Sequence, residues 1–370
     1  MPGRRSEDRR VTDLEGLLST LAPTAPTFGI YLYGWYDPPK WRAHEHLYVP
    51  QVGYYDSIDQ RVIDWQVDQL RRTGVDYVVF ETVPLNDISF VQCMTQAEKF
   101  IDAIAGSPIG YTFMIDFGVM APGRDPLDEY AVVVKELERR NWLDGIIDIP
   151  GRGRSIFTFS PYPDLVPAIR ALTPKNLKLY CASWSPDWGM IDPANYDPRL
   201  AAFFERHWKP AIERGIGYAD AVEPDGFIQF WQPSEQTLPL NGFASVCPGY
   251  DELLLGRDPQ IAGTLPRDDG RNLVRQFEAA VASGARDILI YSWNEHFEAA
   301  GIEPTVQFGD FYLELTRSLI AQAKAGRRIE WPADLVPPLR QVAPLYLNPD
   351  LELSGKKYAD GIPRWDRLSS

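Results

Sequence analysis

Eight short apolar runs, separated by segments with helical patterning, constrain the fold of this chain more than any other feature. Each run is continuously apolar rather than alternating, which is typical of parallel strands that are buried on both faces. The runs are Phe28–Tyr36, Asp76–Val83, Ile109–Phe117, Arg154–Ser160, Leu177–Trp184, Gly226–Gln232, Gly242–Gly249 and Ala285–Trp293. Eight strands that alternate with helices predict an α/β fold, a single-domain (β/α)8 barrel of the TIM type.

The segments between the runs have helical signals. The segment from Ser57 to Gly74 has Ser57 as a predicted N-cap and Gly74 as a predicted C-cap, with an apolar stripe that faces the core. A doubly wound open sheet is the alternative to a barrel. No G-x-G-x-x-G follows the first strand and no phosphate-binding G-x-x-x-x-G-K-[ST] occurs, which favours the barrel.

The ends of the chain differ in composition from its middle. Residues 1–26 are polar and spaced by prolines, so we expect a loosely held arm there. Residues 27–330 are predicted to form the catalytic barrel. Residues 331–370 begin with the Pro-rich "WPADLVPPLR" and are predicted to wrap around it as irregular chain.

Composition limits the partners that this chain can have. With 37 Lys+Arg against 51 Asp+Glu, the net charge is −14, which disfavours nucleic acid and anionic membranes. The 11 Trp and 18 Tyr exceed ordinary core needs and suit the apolar faces of sugars, although a Trp-rich core is the alternative. The composition is therefore compatible with a neutral ligand such as a sugar.

Several other functional classes receive no support from the residues. The three cysteines are too few and too scattered for a disulfide framework or a zinc site. The charged start has no apolar stretch of a signal peptide, and no apolar run is long enough to span a membrane. We expect a cytoplasmic protein, or a secreted one if a leader has been removed. No cofactor is predicted.

The carboxyl ends of the predicted strands carry polar and aromatic residues. A barrel displays its catalytic groups at those ends. They are Trp35, Tyr36, Glu81, Asp116, Trp184, Trp231, Gln232 and Asn294. Glu81 and Asp116 either contact substrate or form salt bridges inside the barrel mouth, and Trp184 and Trp231 either line the site or belong to the core. The functional interpretation depends on their coincidence at one face rather than on any one residue.

Two carboxylates, Glu295 and Glu298, follow the last predicted strand. If the chain is helical there, positions i and i+3 share a face with Cβ atoms about 5–6 Å apart. Both carboxyl groups could then reach one glycosidic bond and act as acid and base. Alternatively, the two acids only suit the dipole at a helix start.

Two histidines, His44 and His46, follow Trp41 in a loop after the first strand. An H-x-H pair alone is a weak metal signal, so hydrogen bonding to substrate or to the loop is favoured and no metal is predicted. No G-x-S-x-G elbow and no cysteine in a nucleophile's surroundings occur. Hydrolytic chemistry would therefore depend on carboxylates.

Four collinear pieces of the chain resemble glycoside hydrolase family 99 and the looser group of family-99-like, WbsX-type proteins. "YLYGWYDPPKWRAHEH" is similar to the first strand with its Trp-x-x-His loop, and "VPQVGYYDSIDQRVIDWQVDQLRRTGVDYVVF" to the following loop, helix and second strand. "SVCPGYDE" with "RDDGRNLVRQFEAAVASGARDILIYSW" is similar to the Pro-Gly-Tyr strand and the helix before the last strand. "SWNEHFEAAGIEPT" resembles the Asn-Glu-x-x-Glu signature with its Ile-Glu-Pro.

The resemblance implies a (β/α)8 barrel that cleaves α-mannosidic bonds with retention, in the manner of an endo-α-mannosidase. By position, Glu295 would take the proton from the substrate 2-OH, and Glu298 would protonate the leaving oxygen and later activate water. The resemblance also adds Tyr54, Tyr250 and His296 to the candidate substrate-binding residues. The His-x-Glu-Pro-Tyr run typical of strand three is replaced by "FMIDFGVMAPGR", and about 150–225 contains no motif that aligns.

The leading hypothesis is thus a retaining glycoside hydrolase that acts on α-linked, mannoside-like glycans. A glycosyl transfer enzyme of polysaccharide biosynthesis is the second hypothesis, against which stands the lack of a phosphate-binding Gly-rich loop or a clear D-x-D motif. A catalytically silent carbohydrate-binding barrel is the third. It would be favoured if Glu295 and Glu298 pointed away from the barrel mouth.

Overall fold

The computed structural model describes residues 25–44, 46–83, 87–117, 125–159, 165–183, 226–229, 242–255, 264–338, 352–353 and 356–357. Within them, one parallel sheet occupies the centre of the fold. Each of its eight parallel strands coincides with one of the eight apolar runs, and only β1 and β5 begin one residue before their run. They are β1 (Thr27–Leu32), β2 (Tyr77–Thr82), β3 (Gly110–Asp116), β5 (Gly153–Phe159), β6 (Lys178–Ser183), β7 (Gly226–Gln229), β8 (Phe243–Val246) and β11 (Asp287–Ile290).

The remaining strands are two residues long and lie outside that parallel order. β4 (Asp148–Ile149) pairs antiparallel with β5. β9 (Tyr250–Asp251) pairs antiparallel with β10 (Thr264–Leu265), and β12 (Glu352–Leu353) with β13 (Lys356–Lys357).

Helices follow most of the parallel strands along the chain. They are α1 (Pro38–Ala43), α2 (Gln60–Thr73), α3 (Asp87–Ile104), α4 (Pro126–Arg139), α5 (Trp142–Gly145), α6 (Val166–Leu172), α7 (Arg271–Ala282) and α8 (Phe311–Lys324). Helical turns of the 3-10 type occupy Glu252–Leu255 and Asp268–Gly270.

The N-cap of helix α2 lies two residues beyond the predicted one. Asp59, not Ser57, is the N-cap, and its carboxylate accepts a hydrogen bond from the Arg61 backbone N–H. The Ser57 hydroxyl instead accepts a hydrogen bond from the Tyr36 backbone N–H. The side chain that the local sequence pattern predicts as the cap is therefore used in a tertiary contact. The C-cap prediction is confirmed: Gly74 has φ 79°, a left-handed conformation that glycine adopts without steric cost.

The order of strands in the sheet is β7-β6-β5-β3-β2-β1-β11-β8. This is the circular order of a (β/α)8 barrel opened between β7 and β8, because β11 returns to pair with β1 from Thr27↔Asp287 onward. No ladder joins β7 to β8 in the described residues, although some of their Cα atoms lie within 8 Å of each other. Closure of the barrel stays a prediction.

The sheet curls so that strands far apart in its order face each other. The rings of Phe157 on β5 and Tyr180 on β6 lie 5.8 and 4.9 Å, centroid to centroid, from the ring of Phe243 on β8. In the sheet order, β8 is the last strand, and β3, β2, β1 and β11 lie between it and β5. A flat sheet would keep these side chains apart, so the inner face encloses a core.

Alternation along each strand divides the apolar residues into two clusters. On β1, Phe28, Ile30 and Leu32 belong to the cluster that contains the helix residues, whereas Tyr31 belongs to the inner one. Because successive side chains point to opposite faces, Glu81 shares the inner face with Val79. Asp116 shares it with Met114 by the same alternation.

The described helices include none that is both long and apolar enough to cross a membrane. Cys93, Cys181 and Cys247 are free and buried, as expected for small apolar side chains.

Candidate active site

The segment after β11, residues 291–303, folds as a tight loop rather than a helix. The Ile302 backbone N–H donates to the Ser292 carbonyl at 3.0 Å, and the Glu303 N–H donates to the Trp293 carbonyl at 2.8 Å. Between these rungs, the Ala300 N–H reaches back to the Glu295 carbonyl at 2.8 Å. The helical face considered for the two carboxylates is therefore absent, and the loop places them instead.

Two residues outside the acidic pair hold this loop in shape. A Cβ atom on Gly301 would lie 2.8 Å from the Trp293 carbonyl oxygen, so the backbones approach too closely for a side chain. One guanidinium nitrogen of Arg267 donates to the carbonyls of Ala299 and Gly301, both at 2.8 Å. The Arg267 guanidinium also lies 4.3 Å from the centre of the Tyr312 ring, which fixes the arginine.

Glu295 is buried, with 3% of its surface exposed. Its Oε1 accepts hydrogen bonds from the Phe297 backbone N–H at 3.0 Å and from the Tyr36 hydroxyl at 3.3 Å. Burial raises the pKa of this carboxyl well above its usual range, and the nearby charge of Glu298 raises it further. The site thus holds a carboxylate that binds a proton more tightly than an ordinary glutamate does.

Glu298 has a different environment. Its side chain is only half-buried, and its Oε2 accepts a hydrogen bond from the Tyr291 hydroxyl. The Asp251 backbone N–H donates to the Glu298 carbonyl at 2.8 Å, which ties the turn to β9. Two carboxylates three residues apart therefore differ in accessibility and partners, as groups with different proton-transfer tasks do.

Beneath the carboxylates, Asn294 joins the loop to the segment after β1. Its side-chain oxygen accepts a hydrogen bond from the Tyr33 backbone N–H, and its nitrogen donates to the Tyr33 carbonyl, both at 2.9 Å. The nitrogen also donates to the Tyr55 hydroxyl at 3.0 Å. Both polar atoms of this fully buried amide are therefore hydrogen-bonded within the protein.

His296 points into a buried polar network around Glu303. Its Nε2 lies 2.6 Å from Glu303 Oε2, which also accepts the Tyr55 hydroxyl at 3.0 Å. Glu303 Oε1 accepts from the Gln66 amide at 2.7 Å. The His296 backbone N–H donates to the Tyr36 hydroxyl at 3.0 Å, so this network reaches the group that contacts Glu295.

The aromatic candidates from the first loop lie around Tyr36. The Tyr36 ring is buried and stacks on Trp41 with centroids 4.5 Å apart, while Trp35 is half-buried beside Tyr33 at 4.6 Å. Tyr54 packs against Trp41 at 5.4 Å. Tyr250 from β9 lies 6.3 Å from Tyr291, near the Glu298 side of the loop.

The two histidines of the first loop differ in exposure. His44 is exposed and its ring lies 4.6 Å from Phe297. His46 is fully buried, and burial lowers the pKa of its imidazole to about 4. Among the described residues, no group of three or more His, Cys, Asp and Glu side chains has the arrangement of a metal site.

Glu81 and Asp116 lie at the carboxyl ends of β2 and β3, on the same inner face. Both are buried, at 2% and 6% exposure, and their side chains hydrogen-bond to each other. The charge of Glu295 acts on Glu81, which places this pair near the loop carboxylates. Trp184, Trp231 and Gln232 lie outside the described residues.

Sequence reasoning missed Tyr33, Tyr291, Arg267 and Glu303 as parts of this site. Tyr291 lies near the carboxyl end of the apolar run Ala285–Trp293 and directly follows β11, so its place at a strand end was a usable signal. Glu303 belongs to the Ile-Glu-Pro piece of the last motif but was given no role. Nothing local marks Arg267, because its contact with the loop spans 32 residues of chain.

The described site is an acidic and aromatic cluster at the carboxyl ends of parallel α/β strands, the usual place of an active site in this class of fold. No family model matches the chain, and no curated protein resembles it in sequence. Among solved structures, it is similar to the GH99 endo-α-mannosidase of Bacteroides thetaiotaomicron in complex with bis-tris-propane, with 16% identity and a TM-score of 0.54. That match covers 80% of this chain and 97% of the other.

A second structure of the Bacteroides thetaiotaomicron enzyme matches with 17% identity and a TM-score of 0.54. It covers 81% of this chain and 98% of the other. At these identities the likeness concerns the fold. The resemblance to family 99 that the motifs indicate is confirmed at that level.

Proposed function

We propose that this protein is a glycoside hydrolase that acts on α-linked, mannoside-like glycans. The observation that carries the proposal is the unequal pair in the loop after β11: Glu295 buried and bonded by Tyr36, Glu298 half-buried and bonded by Tyr291. The fold shared with endo-α-mannosidase structures supports it. We also infer that β7 and β8 close the sheet into a (β/α)8 barrel, since the curled sheet brings them together.

In the proposed first step, Glu295 takes the proton of the substrate 2-OH. The 2-oxygen attacks the anomeric carbon, and the bond from that carbon to the leaving oxygen breaks. Glu298 gives its proton to the leaving oxygen, so a 1,2-anhydro sugar forms without a covalent bond to the enzyme. The raised pKa of Glu295 supports its role as a base, because a carboxylate of ordinary pKa is a weak proton acceptor.

In the second step, Glu298 takes a proton from water, which attacks the anomeric carbon. The bond between that carbon and the 2-oxygen breaks, and the 2-oxygen recovers its proton from Glu295. Two inversions give net retention. The half-buried position of Glu298 supports its part in this scheme, since both the leaving group and the incoming water must reach it.

The decisive experiment screens the purified protein against aryl α-glycosides and polysaccharides and follows the product anomer by NMR. We expect the α-anomer first, and no turnover of 2-deoxy or 2-fluoro substrates, because the 2-oxygen is the internal nucleophile. Turnover of the 2-deoxy substrate at a comparable rate would contradict the 2-OH mechanism and favour an enzyme nucleophile.

Sugar binding without any cleavage would instead indicate a carbohydrate-binding protein. Transfer from a nucleotide sugar, with no hydrolysis, would indicate a glycosyl transfer enzyme. These outcomes separate the three classes of function with one protein preparation.

A further inference from the structure

The Glu81–Asp116 pair is a buried carboxyl pair that the proposed proton transfers leave unused. β2 and β3 are neighbours in the sheet, with Glu81 opposite Met114 in the ladder, so both acids project from adjacent strand ends on the inner face. Their side chains share a hydrogen bond. A hydrogen bond between two carboxyl groups requires one proton, so the pair holds a proton between them.

One oxygen of Glu81 has no hydrogen-bond partner among the described residues. This oxygen, Oε2, is buried. Leaving a buried polar group unsatisfied is unfavourable for folding. Glu303 is a useful comparison within the same site, because it is equally buried and its two oxygens accept hydrogen bonds from Gln66 and Tyr55. Both oxygens of Glu303 are therefore hydrogen-bonded, whereas Oε2 of Glu81 has no donor among the residues that the structure describes.

The charges around Glu81 limit what that donor can be. Burial, Asp116, Cys93 and Glu295 all raise the pKa of the Glu81 carboxyl, and none of the influences on it that come from the described residues is a cation. An anionic group placed here would meet several carboxyl groups with no positive charge to offset them. A hydroxyl group donates a hydrogen bond without adding charge.

We propose that the Glu81–Asp116 pair is a hydroxyl-binding site for a neutral sugar residue, in which Oε2 of Glu81 accepts a hydrogen bond from one free hydroxyl of that residue. The pair sets the substrate class: neutral glycans with that hydroxyl unsubstituted are accepted, and uronic acids or phosphorylated sugars are rejected. This inference rests on the proposed glycosidase function and adds a specificity-determining residue to it.

Two variants at one position test the inference. Glu81→Gln keeps an oxygen acceptor and an N–H donor toward Asp116, so it reproduces the proton-sharing form of the pair. Glu81→Leu has a similar volume and neither group. We expect KM to stay within about threefold for Glu81→Gln and to rise by about tenfold or more for Glu81→Leu, which corresponds to about 1.4 kcal/mol. Thermal unfolding of each variant serves as the folding control.

A panel of 3-, 4- and 6-deoxy substrates then identifies the hydroxyl. Wild-type protein should lose about tenfold in kcat/KM on one of them, whereas Glu81→Leu should show no further loss on that same sugar. Such a coupling is the signature of direct contact and would not arise from a merely structural role. The inference would be overturned if Glu81→Leu folded and kept the wild-type KM on every sugar. It would also be overturned if Glu81→Gln raised KM as much as Glu81→Leu.

Failure of the inference is distinguishable from failure of the proposed function. If the wild-type protein cleaves neutral glycans and both Glu81 variants behave in the same way, the proposed function stands and only the hydroxyl-binding site is contradicted. Preference of the wild type for uronic acid glycans over neutral ones would also overturn the site alone. Wild-type protein that neither cleaves nor binds any sugar, by ligand-observed NMR with methyl glycosides, would overturn both.

Discussion

The two ends of the sheet's inner face both bury charged groups, but they treat them differently. At the amino-terminal ends, Arg152 forms an ion pair with Asp287, and its guanidinium lies 3.7 Å from the centre of the Phe243 ring. At the carboxyl ends, Glu81, Asp116 and Glu295 are buried near one another. Within the described part of the chain, the charges that shift the pKa of Glu81 are those of Asp116, Cys93 and Glu295, and the charge that shifts the pKa of Glu295 is that of Glu298; all of them raise it.

Under the proposed function, the difference separates an end that contributes to stability from an end that carries the chemistry. Arg152 opposes the rise that burial causes in the Asp287 pKa, so that charge is compensated inside the fold. Among the residues that the structure describes, no group of opposite charge is seen to offset the raised pKa of Glu81 or Glu295, and raised pKa values of this kind are common in catalytic carboxyl groups. Substitutions at the two ends should therefore act on different quantities.

The largest expected effect is on rate, at the carboxyl end. Glu298→Gln should slow cleavage of natural glycans by about 10²–10⁴, but less so for aryl glycosides with good leaving groups, which need no protonation. Glu295→Gln should be slow on both, because 2-OH deprotonation is needed whatever leaves. Steady-state kinetics on matched natural and aryl substrates measure this. Equal sensitivity of the two variants to the leaving group would contradict the division of roles.

The next effect is on stability, at the amino-terminal end. Arg152→Met should lower the free energy of unfolding by about 3–5 kcal/mol, because it leaves the Asp287 carboxylate buried without its partner. The double variant Arg152→Met/Asp287→Leu is the control and should recover much of that loss in denaturant titrations. The folded fraction of each should keep the wild-type kcat. A loss below about 1 kcal/mol for the single variant would mean that the ion pair matters little.

The smallest effect is a gain in stability at the carboxyl end. A carboxyl group whose pKa is higher in the folded than in the unfolded state favours folding below its unfolded pKa, and that advantage is lost as pH rises through the folded pKa. Glu295 and Glu81 are such groups, so they weaken the fold at neutral pH. Glu295→Gln should therefore raise stability at pH 7 by about 0.5–2 kcal/mol.

The same substitution should change stability much less at pH 4, where Glu295 is protonated in both states. Thermal unfolding of wild type and Glu295→Gln at the two pH values measures the difference. A destabilised variant at pH 7 would mean that the hydrogen bonds from Tyr36 and Phe297 outweigh the cost of the buried charge.

The parallel strands were predictable because their signal is local. A strand buried on both faces needs a continuous apolar run, and Asp287–Ile290 or Tyr77–Thr82 satisfies that need with residues adjacent in sequence. The C-cap at Gly74 was predictable for the same reason, since only a few neighbouring residues decide it. Ser57 was assigned wrongly because its partner, Tyr36, lies 21 residues away.

The sequence by itself determined the eight apolar runs, the acids at their ends and the motif that contains Glu295 and Glu298. Only the tertiary structure decided how those acids differ. Tyr36, which contacts Glu295, is 259 residues away along the chain, and Gln66, which satisfies Glu303, is 237 away. Burial, hydrogen-bond partners and pKa depend on which side chains meet in space, and those meetings follow from the curl of the sheet rather than from any local pattern.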